Sequence, residues 1–309
     1  MKRNIGLPEQ HPFEEVQTCD LCGNATFRQE LRAGELVLVK CASCGLVFTT
    51  PRYTEAHLLA MYKDEYYEKA SSYLSAQLKK PPEDLYRLAL SLKKMVSLQE
   101  GRATPRSLDV GCGAGSAVAA FKAAGWRTVG IDVSEKAVRA GRALGLDLRA
   151  MDLGDIEPRS IDVITAFHVL EHCSSPRAFV KQCRACLAPG GMLLLDVPNY
   201  GCHNSRRLRD RWPYLYADLH LYQFTIETLR RYLESSGFQV VSVRRLGGYG
   251  PVEDYGSVPG RKTAWSVKKS LQECRHAIAL IPGAKSFLRW LIWHALGYGE
   301  FIRIVARIN

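Results

Sequence analysis

The feature that most constrains the fold is an alternation of short apolar runs with helical patterns through the middle of the chain. Five runs have strand character, and they lie at residues 107–110, 128–131, 147–151, 162–167 and 192–197. Alternation of this kind is typical of an α/β protein with a mainly parallel sheet and helices on both faces. Because such sheets bind ligands beyond the carboxyl ends of their strands, the residues found there are the first candidates for a site.

A glycine-rich turn follows the first run, in the sequence SLDVGCGAGSAVAAF, where Gly111, Gly113 and Gly115 lead into a helical pattern. Glycine permits a tight turn and a close approach of the backbone to a ligand, and the free amides of a helix start favour polar or anionic groups. The spacing differs from the G-x-G-x-x-G of dinucleotide enzymes, since Ser116 stands in place of the third glycine. The turn predicts a ligand site without specifying the cofactor.

The second run ends in an acidic residue, Asp132, within the sequence GIDVS. A carboxylate about 20 residues beyond a glycine turn can accept hydrogen bonds from both hydroxyls of a ribose. The alternative is that Asp132 caps the helix that begins near Ser134, although Ser134 can cap that helix by itself.

Four segments taken together resemble the class I S-adenosylmethionine-dependent methyltransferases: LDVGCGAG, GIDVS, FHVLEH and LAPGGMLLLDVPN. The resemblance covers roughly residues 83–245 and extends to the strand-like segment 301–307. It implies a Rossmann-like sheet of seven mostly parallel strands with helices on both faces. The chain is similar in particular to a subfamily that carries an N-terminal zinc ribbon and includes sugar methyltransferases.

The resemblance also implies which residues bind S-adenosylmethionine. Gly111, Gly113 and Gly115 would pass under the methionyl part of the cofactor, and Asp109 would lie near its amino end. Asp132 would hold the ribose, and Asp152 and Leu153 would face the adenine. Phe167 would border the methyl group. Asp155 is an alternative to Asp152 at the adenine. These assignments predict an enzyme that transfers the methyl group of S-adenosylmethionine.

A hydroxyl or carbon acceptor would need a general base, and two histidines are candidates for that role. His220 lies in RWPYLYADLHLYQF, which resembles a subfamily segment with a tryptophan, a histidine and a phenylalanine before a helix, and it is the leading candidate. His168, which follows the fourth run, is the second. A loop histidine hydrogen-bonded to the backbone is an equally good interpretation of His220. Trp212, Tyr214 and Tyr222 would form walls of the acceptor pocket or pack in the core.

Two C-x-x-C pairs lie near the N-terminus, with eighteen residues between them. They consist of Cys19 and Cys22 and of Cys41 and Cys44, a spacing typical of four-cysteine zinc sites. Four thiolates would close a tetrahedral site around zinc, so the metal would be structural. The sequence between the pairs predicts a hairpin. Four unpaired thiols or a redox dithiol are the weaker alternatives.

The charge balance leaves several partner classes open. With 42 Lys and Arg against 31 Asp and Glu, the formal net charge is +11, which favours anionic partners. We expect a small-molecule or glycan acceptor, including nucleotide- or lipid-linked sugars. An RNA methyltransferase is an alternative, but AFHVLEH replaces the Asp/Asn-Pro-Pro-Tyr loop of amino-methylating nucleic-acid enzymes, so a nucleic-acid partner is disfavoured. A non-catalytic module that binds zinc and the cofactor is the third class.

The pattern predicts five regions along the chain: a zinc-ribbon module (1–50), a helical connector (51–104), the methyltransferase core (105–246), a helical insert (247–299) and a last core strand (300–309). The insert contains the apolar segment 284–296. It would form either a lid over the cleft, which we favour, or a helix in contact with a membrane surface. Because the N-terminal sequence lacks the apolar core of a secretory signal, we expect a cytoplasmic protein, with or without peripheral membrane contact.

Overall fold

The computed structural model describes residues 12–64, 82–100, 104–247 and 299–308. Its strands are β1 (Phe13–Glu14), β2 (Phe27–Ala33), β3 (Leu36–Cys41), β4 (Val47–Thr49), β5 (Arg52–Tyr53), β6 (Arg106–Val110), β7 (Arg127–Asp132), β8 (Leu148–Ala150), β9 (Ile161–Phe167), β10 (Leu187–Pro198), β11 (Tyr222–Gln223), β12 (Gln239–Leu246) and β13 (Phe301–Arg307). Its α-helices are α1 (Glu55–Asp64), α2 (Glu83–Glu100), α3 (Ser116–Ala123), α4 (Glu135–Arg142), α5 (Pro176–Cys186), α6 (His203–Leu208) and α7 (Ile226–Ser235).

Seven strands form the main sheet in the order β12-β13-β10-β9-β6-β7-β8. The pairs from β10 to β8 are parallel, whereas β13 runs antiparallel to both β10 and β12. The order reverses at β6, because β7 and β8 lie on one side of β6 and the next strand in sequence, β9, lies on its other side. A reversal of this kind opens a crevice at the carboxyl ends of the strands. The predicted α/β fold with a seven-stranded, mostly parallel sheet is confirmed.

Helices cover both faces of this sheet, because successive residues of the central strand β10 point in opposite directions. Leu193 and Leu195 pack in one buried cluster with residues of α5 and α7. Leu194 packs in a second cluster with residues of α2 and α3. Burial on both faces explains why β10 appears in the sequence as a continuous apolar run and not as an alternating one.

A second sheet joins the N-terminal region to the main domain. It has the order β11-β4-β3-β2, with all pairs antiparallel. The β2–β3 hairpin is the one predicted between the two cysteine pairs, with Gly34 at its turn in the left-handed conformation. The fourth strand, β11, comes from the segment just after His220. The N-terminal module therefore shares a sheet with a loop of the main domain.

The predicted insert 247–299, including its apolar segment 284–296, lies outside the described residues except at its two ends. Its assignment as a lid or a membrane-contacting helix stays a prediction, and so do the five region boundaries. Among the helices that the structure describes, none combines the length and the apolar character needed to span a bilayer.

Candidate functional site

The glycine turn lies where β6 passes into α3, at the point where the strand order reverses. Gly111, Gly113 and Gly115 have φ angles of +68°, +53° and +93°, a left-handed region that favours glycine. A Cβ atom at Gly111 would lie 2.4 Å from Cγ2 of Val169, in the segment that follows β9. A Cβ atom at Gly113 would meet no described atom within 4 Å. The turn thus packs against the β9 segment on one side and offers open space at its middle glycine.

The Asp132 carboxylate lies at the carboxyl end of β7 and accepts two backbone hydrogen bonds. One oxygen accepts from Gly113 N and the other from Ser134 N, each at 2.8 Å. Ser134 itself caps α4 by accepting from Ala137 N, so the helix does not need Asp132 as its cap. Burial raises the pKa of Asp132, and these backbone hydrogen bonds oppose that rise. The carboxylate is fixed beside the glycine turn with lone pairs left for a ligand.

Asp109 lies one residue before the end of β6 and is buried. Its Oδ1 accepts a hydrogen bond of 2.6 Å from the Thr165 hydroxyl on the neighbouring strand β9. Burial raises the pKa of Asp109 to about 7, against the lowering effect of that hydrogen bond. Bringing a cationic amino group close to this carboxyl would favour its ionised form.

The two residues predicted to face the adenine differ in burial. Asp152 is exposed at the end of β8, whereas Leu153 is buried with the main core cluster. Phe167 ends β9, and the Arg303 guanidinium lies 5.7 Å from its ring centre. Arg303 itself forms a bidentate ion pair with Asp196. The roles of these residues toward a cofactor stay predictions.

Four titratable side chains gather just beyond β9. Glu171 and His172 belong to a short 3₁₀ turn, Leu170–His172, and His220 approaches from the loop before β11. The His172 and His220 rings are 4.7 Å apart between centres. We call Glu171, His172 and His220 the histidine–glutamate cluster. Nδ1 of His168 lies 3.3 Å from Oε1 of Glu171, so His168 borders the cluster.

The surroundings of these three histidines shift their pKa values in different directions. Burial lowers the pKa of His220 to about 3, and the neighbouring His172 adds to that effect. Burial also lowers the pKa of His172, although Glu171 opposes it. For His168, burial alone would lower the pKa, but the hydrogen bond and charge of Glu171 outweigh it and raise the pKa. His220 and His172 are therefore neutral near pH 7, and His168 is the more basic of the three.

Both interpretations of His220 find support in its contacts. Its Nδ1 lies 2.9 Å from the carbonyl oxygen of Tyr214, which is the backbone bond of the structural interpretation. That contact places the proton on Nδ1 and leaves Nε2 with a lone pair. A backbone-bonded His220 is therefore also a histidine whose second nitrogen can accept a proton.

Of the three aromatic residues named from the sequence, Trp212 and Tyr222 are buried, and Tyr214 packs against Phe301. Trp212 is buried and its Nε1 donates to Glu300 Oε2 at 2.7 Å. Tyr222 is also buried, so both serve the core. Tyr214 packs edge to face with Phe301, 4.7 Å between ring centres.

The helical connector also reaches the cluster. Tyr62, on α1, places its hydroxyl 2.5 Å from Nδ1 of His172. This contact joins residues that are 110 positions apart and has no local signature in the sequence.

Sequence reasoning missed the part that Glu171 plays in this arrangement. Glu171 is 1% exposed, yet the sequence presents it only as one letter of FHVLEH. A signal was present, because charged residues are rarely buried without a partner and this acid lies between two histidines directly after a core strand.

The four N-terminal cysteines come together at the base of the β2–β3 hairpin. Their sulfur atoms all lie within 4.8 Å of one another. The Cys19–Cys44 and Cys22–Cys41 sulfur pairs are 3.4 and 3.5 Å apart. Sulfurs bound at about 2.3 Å around a tetrahedral ion would be about 3.8 Å apart, so small side-chain adjustments separate this geometry from a zinc site. The four thiols fit a closed metal site.

This cysteine module contacts the segment that carries the histidine–glutamate cluster. Asp20, between the first two cysteines, accepts from the Ser175 hydroxyl at 2.7 Å and from Arg177 N at 2.9 Å. On the other side, Thr49 N donates to Leu221 O at 3.0 Å as β4 pairs with β11. Both segments that supply cluster residues are thus held by the N-terminal module.

Comparison with known proteins gives this geometry a family context. A family model described as a methyltransferase domain matches residues 65–243, more than half of the chain. The ubiquinone biosynthesis O-methyltransferase of Idiomarina loihiensis is 36% identical over 101 residues, which make up 30% of this chain and 42% of that protein. The protein of the same name from Bordetella bronchiseptica is 35% identical over 103 residues, or 30% and 43% of the two chains.

The chain thus spans less than half the length of these curated relatives. Among solved structures, the plantazolicin methyltransferase BpumL in complex with a triazolic desmethylPZN analogue and S-adenosylhomocysteine has a TM-score of 0.51 at 15% identity. The match covers 82% of this chain and 94% of that one. At this identity the likeness shows the fold alone.

Proposed function

The chain belongs to the class I S-adenosylmethionine-dependent methyltransferases, and from that premise we propose that it transfers the methyl group to a hydroxyl of a small molecule, glycans included. The observation that carries this proposal is the group of histidines beside a buried glutamate at the carboxyl end of β9, next to the glycine turn. A hydroxyl nucleophile needs a group that removes its proton, and imidazole is suited to that role. The O-methyltransferase name of the curated relatives agrees with transfer to oxygen.

The residues around the glycine turn fit the cofactor. Open space at Gly113 leaves room for the methionyl part, and Asp109 is a buried acid suited to its amino group. Asp132, already aligned by two backbone amides, would accept from the ribose hydroxyls. S-adenosylmethionine supplies an electrophilic methyl group on a positively charged sulfur. The protein contributes alignment of the acceptor with that methyl group, worth about 7–11 kcal/mol when the geometry is good.

The acceptor's proton would pass to one of two histidines. His220 is neutral and has an available Nε2, but its low pKa makes it a weak base. His168 has the raised pKa and a side chain that is 33% exposed, so it suits a base that meets an incoming acceptor. We keep both as candidates, with Glu171 orienting His168 through their hydrogen bond.

We propose that Cys19, Cys22, Cys41 and Cys44 bind one structural zinc ion. Four thiolates leave no open coordination position, so the ion takes no part in methyl transfer. Its contribution would be to hold the base of the β2–β3 hairpin, from which the shared sheet reaches β11.

The function is tested with S-adenosylmethionine labelled in its methyl group and three acceptor pools: simple phenols and catechols, sugars with soluble glycans, and total RNA. We expect label in a small-molecule or glycan product, identified as an O-methyl compound by mass analysis. His168→Ala and His220→Ala should each slow transfer, by about 10²–10⁴-fold for the one that acts as base. His203→Ala, a histidine outside the cluster, is the control. Label found only in RNA would refute the proposal and restore the nucleic-acid alternative.

A further inference from the structure

The histidine–glutamate cluster brings three ligand-type side chains to one point. Glu171, His172 and His220 each offer one ligand atom, and these atoms all lie within 4.8 Å of one another. Glu171 and His172 come from the turn after β9, whereas His220 comes from the loop before β11. Because these two segments are distant in the chain, the fold and not the local sequence brings the three side chains together.

Each imidazole of the cluster has its Nδ1 next to a backbone carbonyl. Nδ1 of His220 lies 2.9 Å from Tyr214 O, and Nδ1 of His172 lies 3.1 Å from Leu219 O. A carbonyl oxygen only accepts, so in His220 Nδ1 carries the proton and Nε2 carries the lone pair. Nδ1 of His172 also lies 2.5 Å from the Tyr62 hydroxyl, which can accept a proton as the Leu219 carbonyl does, and in that tautomer Nε2 of His172 has the lone pair as well. Histidines that bind metal ions have this arrangement, since a hydrogen bond from the other ring nitrogen fixes the tautomer and the ring orientation.

The glutamate of the cluster has an oxygen that no described residue satisfies. Oε1 of Glu171 contacts His168, but Oε2 is buried and has no hydrogen-bond partner within the described part of the chain. A buried carboxylate oxygen without a donor is costly, and a cation would compensate it.

We infer that Glu171, His172 and His220 bind a divalent first-row transition-metal cation that receives the acceptor hydroxyl. This inference rests on the proposed function and assigns a ligand to the same site. Two imidazoles and one carboxylate suit zinc, iron(II) or cobalt(II), whereas Mg²⁺ prefers a shell of oxygens. Three protein ligands leave coordination positions open.

The ion would activate the acceptor directly. An alcohol or phenol oxygen bound to a divalent cation loses its proton more readily, as metal-bound water does. The proton passes to His168, which borders the cluster. An oxygen electron pair then forms the new bond to the methyl carbon, the carbon–sulfur bond breaks, and its electron pair stays on sulfur to give S-adenosylhomocysteine. In this scheme His220 is a ligand, and His168 is the base.

The test titrates Co²⁺ into the full chain after the cysteine site has been loaded with one zinc per chain. We expect one Co²⁺ per chain by calorimetry, with visible absorption that lacks sulfur-to-cobalt charge transfer. Glu171→Gln and His220→Gln should each weaken Co²⁺ binding at least about 10-fold. Glu227→Gln makes the same chemical change as Glu171→Gln on an exposed turn of α7 and should leave the affinity unchanged.

S-adenosylhomocysteine binding, measured on every variant, separates the possible outcomes. Variants that keep this binding but lose Co²⁺ support the metal site. A parent chain that binds S-adenosylhomocysteine but takes up no Co²⁺ would overturn the metal site and leave the methyltransferase proposal intact. Equal Co²⁺ affinity in the parent and both cluster variants would overturn it as well. If Glu171→Gln does not fold, His220→Gln alone decides.

Discussion

Replacing Asp132 by alanine is expected to weaken S-adenosylhomocysteine binding by about 10- to 100-fold, since hydrogen bonds to a charged group contribute about 1.5–3 kcal/mol. The chain would lose its contacts with the ribose hydroxyls and would also release Gly113 N, which the carboxylate holds at 2.8 Å. Equilibrium dialysis or calorimetry on the purified chain measures the affinity.

Two further variants make the Asp132 result specific. Asp132→Asn keeps one acceptor oxygen and should show a smaller loss. Glu135→Ala removes a nearby exposed acid, so it changes the net charge equally and should bind normally. A thermal melt of each variant separates lost binding from lost folding. Normal affinity in a folded Asp132→Ala chain would rule out this carboxylate as the ribose contact.

Replacing Cys41 by serine is expected to remove the zinc ion and to loosen the loop that carries His220. The change breaks a closed thiolate site at the end of β3, and β3 is linked through β4 to β11. Structural zinc sites contribute folding free energy directly, so the shared sheet should lose stability. Metal analysis should show one zinc fewer per chain than in the parent. Hydrogen exchange of the Thr49 and Gln223 amides, which lie at hydrogen-bonded positions of the β4–β11 pair, should accelerate.

Cys186→Ser is the matched control, because Cys186 is also a buried cysteine but lies in α5. The Cys186→Ser chain should keep the zinc ion of the cysteine site, and the amides of the β4–β11 pair should still exchange slowly. The glycine turn lies outside the shared sheet, so S-adenosylhomocysteine affinity should change little in Cys41→Ser. Slow exchange of β11 after zinc loss would show that the ion does not support the His220 loop.

Local patterns were enough to predict the main sheet. Strands such as β10 are apolar along their whole length because both faces are covered, and the glycines of the β6–α3 turn have left-handed φ angles. These features depend on residues that are close in sequence. The resemblance supplied the number of strands and their mostly parallel arrangement. The order of the strands was not predicted, since the pairing of β13 between β10 and β12 joins segments that are distant in the chain and leaves no local signal.

The candidate site was predicted in part. Asp132 and the glycines follow from spacing, and His168 and His220 follow from resemblance. The arrangement around Glu171 could not be predicted, because it depends on a turn, a loop and a connector helix that meet only in the folded chain. The same reason explains β11, a two-residue strand that exists because β4 pairs with it.

Calorimetric titration of the full chain with S-adenosylhomocysteine tests the central claim most directly, because it requires no knowledge of the acceptor. We expect one binding site per chain, with saturable heat at two temperatures. Absence of heat at both temperatures from well-folded protein would contradict the assignment of the β6–α3 turn and Asp132 as a cofactor site.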